Sequence, residues 1–279
     1  MSASVSRLLP FTRFTRFTRF TRLALFLLAA TCAISAPGQA SSAPAAGSLG
    51  AQVERLPASF AACPGFFAGQ RAPAISRTPR LRELCFDAFA VLHSGESRTP
   101  VFAAQRLNKR ALGGLKRLKS DRFFADARLP RGERAELEDY KRSGYSRGHM
   151  APSGDMATEA SMAQSFSLAN MVPQSARQNG GPWAKIEQDT RRYVARAQGD
   201  VYVITGPVFD GAAGRGERIG TNNVRVPSSL FKLVYDPHTG KAWAHWQDNR
   251  DDETVSRPIS YAELVRRTGV EWLPATPPR

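Results

Sequence analysis

The chain has 279 residues, 39 of them Lys or Arg against 24 Asp or Glu, and a formal charge of +15. With 42% hydrophobic residues and 9% aromatics it can bury a core of ordinary size, which excludes wholesale disorder. Three cysteines and four histidines are too few for a multi-finger zinc protein, and no phosphate-cradling P-loop or dinucleotide fingerprint is present. The basic balance points to a polyanionic partner, without separating nucleic acid from a membrane surface.

In chain order, Arg7, Arg13, Arg16, Arg19 and Arg22 stand in a segment without acidic residues, followed by an apolar run, Leu23 to Ala30, and a small-residue stretch ending at Ala40. A positive start, a short apolar centre and a small-residue exit predict a signal peptide over residues 1–40. A periplasmic or secreted destination follows, with no stable membrane span once it is removed. Its loss takes away five arginines and leaves +10, so the basic character belongs to the mature chain. Residues 41–60 read as a flexible lead-in, and residues 61–279 as a single domain. Export and an even count predict a Cys63–Cys85 disulfide, closing a loop worth about 3 kcal/mol on the loop-entropy account.

From Leu84 to Val101 the chain predicts two short strands around the turn His93-Ser-Gly-Glu-Ser97. Residues 109–126 are dense in Lys and Arg, interleaved with Leu115, Leu118, Phe123 and Phe124; this is a basic substrate-facing loop or a solvated helix face. The spacing of Trp183, Ile186, Val194 and Ala197 predicts a helix over 182–198, with Pro182 at its first position and Gly199 as its stop. A strand over Val201 to Thr205 should end at Gly206-Pro207, and Asp236-Pro-His-Thr-Gly240 should turn a hairpin. Ser260-Tyr-Ala-Glu263 opens a last helix that Gly269 closes. Strands and helices mix without a βαβ rhythm, so the expected class is α+β, with a mixed antiparallel sheet and packed helices.

The chemistry concentrates in Ser146-Arg147-Gly148-His149, then Asn170 to Gln174, then Asn179 to Glu187. Histidine accepts a proton from water near neutral pH, and arginine grips phosphate oxygens with a directional fork. An asparagine carbonyl is a hard oxygen ligand, suited to a Mg²⁺ ion that keeps most of its waters. Glu187 stands eight residues after Asn179, a little over two helical turns, so the two can share a side. A base, a metal ligand and a phosphate clamp are the parts of a phosphodiester hydrolase. Each residue alone also has a plain structural reading; their order and spacing carry the argument.

These segments resemble the DNA/RNA non-specific endonuclease family of ββα-metal nucleases. Its hallmarks are an Asp-Arg-Gly-His motif, a Ser-Asn-x-x-Pro-Gln segment and an Asn-x-x-x-Trp-x-x-x-Glu stretch. They stand here as Ser146 to His149, Ala169 to Gln174 and Asn179 to Glu187, and the likeness covers roughly residues 80–250. The resemblance implies a ββα-metal unit with His149 as general base, Asn179 as the sole protein ligand of Mg²⁺ (Mn²⁺ as a substitute) and Arg147 on the phosphate. Glu187 would orient metal-bound water and Asn170 would support the site by hydrogen bonding. Lys119 and Arg122, near Phe123-Phe-Ala-Asp126, are the candidate substrate-binding cations. Two departures stand out. Ser146 replaces the usual aspartate, and Lys119 occupies the position best matched to an upstream arginine. The implied activity is endonucleolytic hydrolysis of DNA and RNA through backbone contacts, with little sequence specificity. The rival reading, motivated by the two departures, is an inactive nuclease-like protein that only binds nucleic acid.

Overall fold

The computed structural model describes residues 59–76, 78–112, 122–211 and 216–274. All of them belong to the unit Ala46–Arg279, whereas the unit Met1–Ala45 lies outside the described residues. So do the expected signal peptide, most of the lead-in, and Leu115, Leu118 and Lys119 of the basic segment.

Seven antiparallel strands form the central sheet in the order β1-β2-β3-β6-β9-β10-β11. They are β1 (Leu81–Cys85), β2 (Ala90–Ser94), β3 (Thr99–Leu107), β6 (Val201–Val208), β9 (Ser229–Asp236), β10 (Lys241–Asp248) and β11 (Ile259–Ser260). Between β3 and β6 the chain forms α1 (Leu137–Tyr140), β4 (Ser146–His149), α2 (Glu159–Ser165), β5 (Met171–Gln174), α3 (Ala176–Gln178) and α4 (Ala184–Val194). A small hairpin, β7 (Arg218–Ile219) with β8 (Val224–Arg225), precedes β9, and α5 (Tyr261–Thr268) follows β11. The α+β expectation holds.

Both faces of the sheet are covered, and strand alternation assigns the residues. Ala90, Leu92, Phe102, Ala104, Phe231 and Leu233 pack beneath α5 and the segment carrying Phe60 and Phe67. Phe89, Val91, Ala103 and Leu230 face the other way, against Met150, Trp183 and Ile186. The second face therefore carries the elements that hold the candidate site. Cys63 and Cys85 form the expected disulfide, with a Cα–Cα distance of 6.1 Å, pinning the Phe60 segment to the end of β1.

Three boundaries differ from expectation. β2 and β3 flank the expected turn, but a further strand, β1, precedes them from Leu81 and β3 runs on to Leu107. β6 runs on through Gly206-Pro207 to Val208; Gly206 fits there because a Cβ would crowd the Val101 carbonyl and the Phe231 ring. Pro182 does not open a helix. The helical run starts at Ala176, where the Ser175 hydroxyl accepts from the Gln178 amide at 3.2 Å, and passes through a π-helical turn, Asn179–Trp183. The wider turn accommodates Pro182, which has no amide hydrogen to donate. At the far end, the β9–β10 hairpin, the Ser260 cap and the left-handed Gly269, at φ 67°, are all as expected.

Candidate active site

β4 and β5 form a two-stranded ribbon in which Ser146 pairs with Gln174 and His149 with Met171. The side chains of β4 divide between its two faces. Arg147 lies with its guanidinium carbon 4.0 Å from the centroid of the Phe123 ring. His149, two residues on, sits 5.9 Å from Phe123 and 5.2 Å edge-on to Phe166, and those two rings meet at 5.0 Å. This aromatic bracket restricts the imidazole without using its nitrogens. Ser146 Oγ donates to the Gln174 carbonyl at 2.9 Å and accepts from Asn179 Nδ2 at 3.1 Å. Gly148 lies against Gln174 so closely that a Cβ would overlap that side chain. The glycine of the motif is thus a packing requirement of the ribbon.

Asn179 sits in the π-turn, half-buried. Because Nδ2 is committed to Ser146, the amide carbonyl oxygen is turned away from β4, and no described residue donates to it. Among the described residues no group of three or more His, Cys, Asp or Glu is arranged to hold a metal ion. The donor set therefore fits an ion bound through one amide oxygen and its own waters, and does not fit one caged by protein ligands.

Glu187 lies further along, in the first turn of α4, above a buried charge that the sequence reading missed. Lys232, 1% exposed, stands on the β9 face shared with Leu230 and donates from Nζ to Thr205 Oγ1 at 2.7 Å. Its ammonium is 5.4 Å from the Trp183 ring centroid. Burial holds its pKa below the usual value, opposed by the negative charges of Glu187 and Asp155. Asp155 is itself pushed upward by burial, opposed by the charge of Arg191, whose Nη1 donates to it at 3.0 Å. A lysine in the apolar run Leu230 to Val234 was the available signal, since its position in a central strand demands a buried counter-charge.

Asn170 is fully buried and does not reach the cleft. Its amide binds the backbone of Ala151 in both directions, at 2.9 and 2.8 Å, and the Ser165 carbonyl at 2.9 Å. It fixes the chain two residues past His149, and so acts on the site through position. Asp126 is likewise structural: Arg128 grips it at 2.7 and 2.9 Å and the Ser167 hydroxyl donates to it at 3.1 Å. Arg122 is exposed beside Phe123. The fold accounts for the other histidines. His93 is buried on β2 with Nε2 2.8 Å from the Glu133 carbonyl, His238 lies in the β9–β10 turn, and His245 is on β10.

A cleft of about 510 Å³ opens beside the ribbon, lined by Phe123, Tyr140, Lys141, Tyr145, Ser146 and Arg147, with Leu137 and Glu138 also on its wall. Aromatic faces and cations together suit a chain of bases and phosphates. Tyr140 and Tyr145 had no distinguishing signal in the sequence beyond their closeness to Ser146.

The profile of the DNA/RNA non-specific endonuclease family matches residues 73–278. Human mitochondrial nuclease EXOG is 35% identical over 158 residues, covering 54% of this chain and 43% of that protein. A nuclease of Nostoc sp. is 33% identical over 148 residues, covering 52% of this chain and 51% of its own length. The chain thus spans about half the length of these relatives or less. In structure, the fold is similar to the crystal structure of the EndoG/EndoGI complex, with a TM-score of 0.60 and 24% identity over 71% of this chain and 87% of that one. With the family profile matched over most of its length and the motif residues assembled on one ribbon and one helical turn, the chain belongs to the DNA/RNA non-specific endonuclease family.

Proposed function

We propose that the chain is an exported, Mg²⁺-dependent nuclease that hydrolyses internal phosphodiester bonds of DNA and RNA with little sequence specificity. The observation that carries this reading is the Ser146–His149 strand, which holds His149 and Arg147 against Phe123 and is hydrogen-bonded through Ser146 to Asn179. His149 takes the proton of the attacking water on an imidazole nitrogen, the ring held at a fixed angle by Phe123 and Phe166. Arg147, propped on Phe123, holds the non-bridging oxygens of the scissile phosphate. Asn179 would hold the ion through its carbonyl oxygen, with Mn²⁺ as a substitute, and Glu187 would help position water in the site. When bound, the ion offsets charge on the phosphate and on the leaving oxygen.

Lys119 and Arg122 extend the phosphate contacts, and no segment of the chain suggests a base-reading module. Ser146 supplies the hydrogen-bond acceptor that an aspartate would otherwise give Asn179, which favours an active enzyme over a protein that only binds. Export to the periplasm or beyond rests on the N-terminal charge and apolar pattern; several relatives carry mitochondrial names. Among the described residues no helix is long and apolar enough to cross a membrane. Mature protein incubated with plasmid and with RNA should nick both with Mg²⁺ and neither with EDTA. Binding of both without cleavage would select the inactive alternative.

A further inference from the structure

Outside this cleft the fold gathers arginines that nothing so far has used. On the β7–β8 hairpin, Arg218 and Arg225 are direct cross-strand partners. Like charges placed opposite each other on a ribbon are destabilising unless something offsets them. Arg98 joins them from the β2–β3 turn, in a left-handed backbone conformation with φ 57°, a strained position for a residue other than glycine. The two segments are stitched together by the Arg225 amide, which donates to the Ser97 carbonyl at 2.9 Å.

No carboxylate among the described residues is within ion-pair distance of Arg98, Arg218 or Arg225. The Nε atoms of Arg98 and Arg225 are buried without a hydrogen-bond partner among those residues. Arg98 is held below its usual pKa by burial and then by repulsion from Arg218 and Arg80; Arg225 is lowered by burial and then by Arg218. The arginines are also pre-set in place. Arg225 donates from Nη2 to the Asp210 carbonyl at 3.1 Å and lies 4.5 Å over the Phe209 ring, while Arg218 Nη1 donates to the Asn223 carbonyl at 2.9 Å. Arg218 and Arg225 line a cavity of about 180 Å³ together with Ser94, Ser97, Phe209 and the exposed Glu96, and Arg98 follows Ser97 in the chain.

The cavity is mechanically tied to the wall of the cleft beside β4. Tyr145, next to Ser146, donates its hydroxyl to Glu217 at 2.7 Å, and Glu217 adjoins Arg218. Asn222, in the hairpin turn, donates its amide to Asp139 at 3.0 Å.

We infer that Arg98, Arg218 and Arg225 form a second phosphate-binding site, which takes a backbone phosphate of the nucleic acid beyond the scissile bond. The class of ligand follows from the donors: guanidinium forks with unsatisfied N–H groups, and with no carboxylate at ion-pair distance among the described residues, match phosphate oxygens. The identification with a nucleic-acid backbone, rather than free phosphate, rests on the proposed nuclease reading.

The test is binding of a fluorescein-labelled 20-mer duplex DNA to the mature chain in EDTA, where no turnover interferes. Arg98→Gln/Arg218→Gln should weaken binding about 10-fold or more at moderate salt and reduce the slope of log K against log[salt] by about two, one for each lost phosphate charge. Arg98→Gln alone should give about half that change in slope, and it breaks no side-chain hydrogen bond among the described residues. Both variants should hydrolyse bis-p-nitrophenyl phosphate, which has one phosphate, at the wild-type rate. If the wild type binds the 20-mer and both variants bind it equally well with the same slope, the arginine site is overturned. If the variants lose only calorimetric binding of inorganic phosphate while 20-mer affinity stays unchanged, the site takes a free anion and the backbone assignment is overturned. A wild-type chain that binds no 20-mer overturns the nucleic-acid reading as well.

Discussion

The side-chain amide of Asn179 donates to the hydroxyl of Ser146 at 3.1 Å, and that hydroxyl in turn donates to the Gln174 carbonyl at 2.9 Å. The direction of this chain of hydrogen bonds sets which way the Asn179 amide faces: nitrogen towards β4, oxygen away from it. The serine that departs from the family motif is thereby the residue that orients the proposed metal ligand.

Ser146→Ala removes the acceptor and frees the amide to rotate. The Mg²⁺ concentration giving half-maximal cleavage should rise about 2–10-fold, the worth of one ordinary hydrogen bond, with turnover at saturating Mg²⁺ nearly restored. Ser146→Asp keeps an acceptor for Nδ2 and should preserve or raise activity. Metal titrations of the two variants check both statements; a collapse of turnover in folded Ser146→Asp would contradict them.

The Cys63–Cys85 bond ties the Phe60 segment, which covers one face of the sheet, to the end of β1. Reduction should cost about 3 kcal/mol. Thermal melts with and without reductant should therefore differ by about 6–12 °C for a domain of this size. Cleavage at room temperature should hardly change, because the site lies on the other face.

His245 pairs across the sheet with Lys232. Burial, and then the Lys232 charge, push its pKa down to about 4 from 6.5. The native imidazole is therefore neutral where the unfolded one is charged. Its share of stability is complete above pH 6.5 and is lost as the pH falls towards 4, up to about 3 kcal/mol. Burial shifts His93 down as well, so it acts in the same direction. His245→Gln should flatten part of the fall in melting temperature across this range. An unchanged profile would contradict the assignment.

What could be read from the sequence depended on whether the signal was local. The β9–β10 turn, the Ser260 cap and Gly269 are set by backbone preferences of a few neighbouring residues, and all three were legible. The motif order placed His149, Arg147 and Asn179 in one region for the same reason. Pro182 misled because a proline is most familiar in a first helical turn, whereas here a π-turn absorbs it inside a continuous run. Lys232 and the Arg98, Arg218 and Arg225 group were invisible because each derives its meaning from a partner far away in the chain. Lys232 requires the α4 helix to supply Glu187, and Arg98 meets Arg218 only through the pairing of two turns.

The central claim is that His149 moves a proton while Asn179 holds the ion, and a Mg²⁺ titration of His149→Ala and Asn179→Ala separates the roles. His149→Ala should lose about 10²–10⁴-fold in turnover at every Mg²⁺ concentration, with 20-mer binding nearly intact. Asn179→Ala should recover in part as Mg²⁺ is raised, because it has lost a ligand and not the base. Wild-type cleavage by folded His149→Ala would contradict the mechanism, and rescue of His149→Ala by added metal would move that histidine into the coordination sphere.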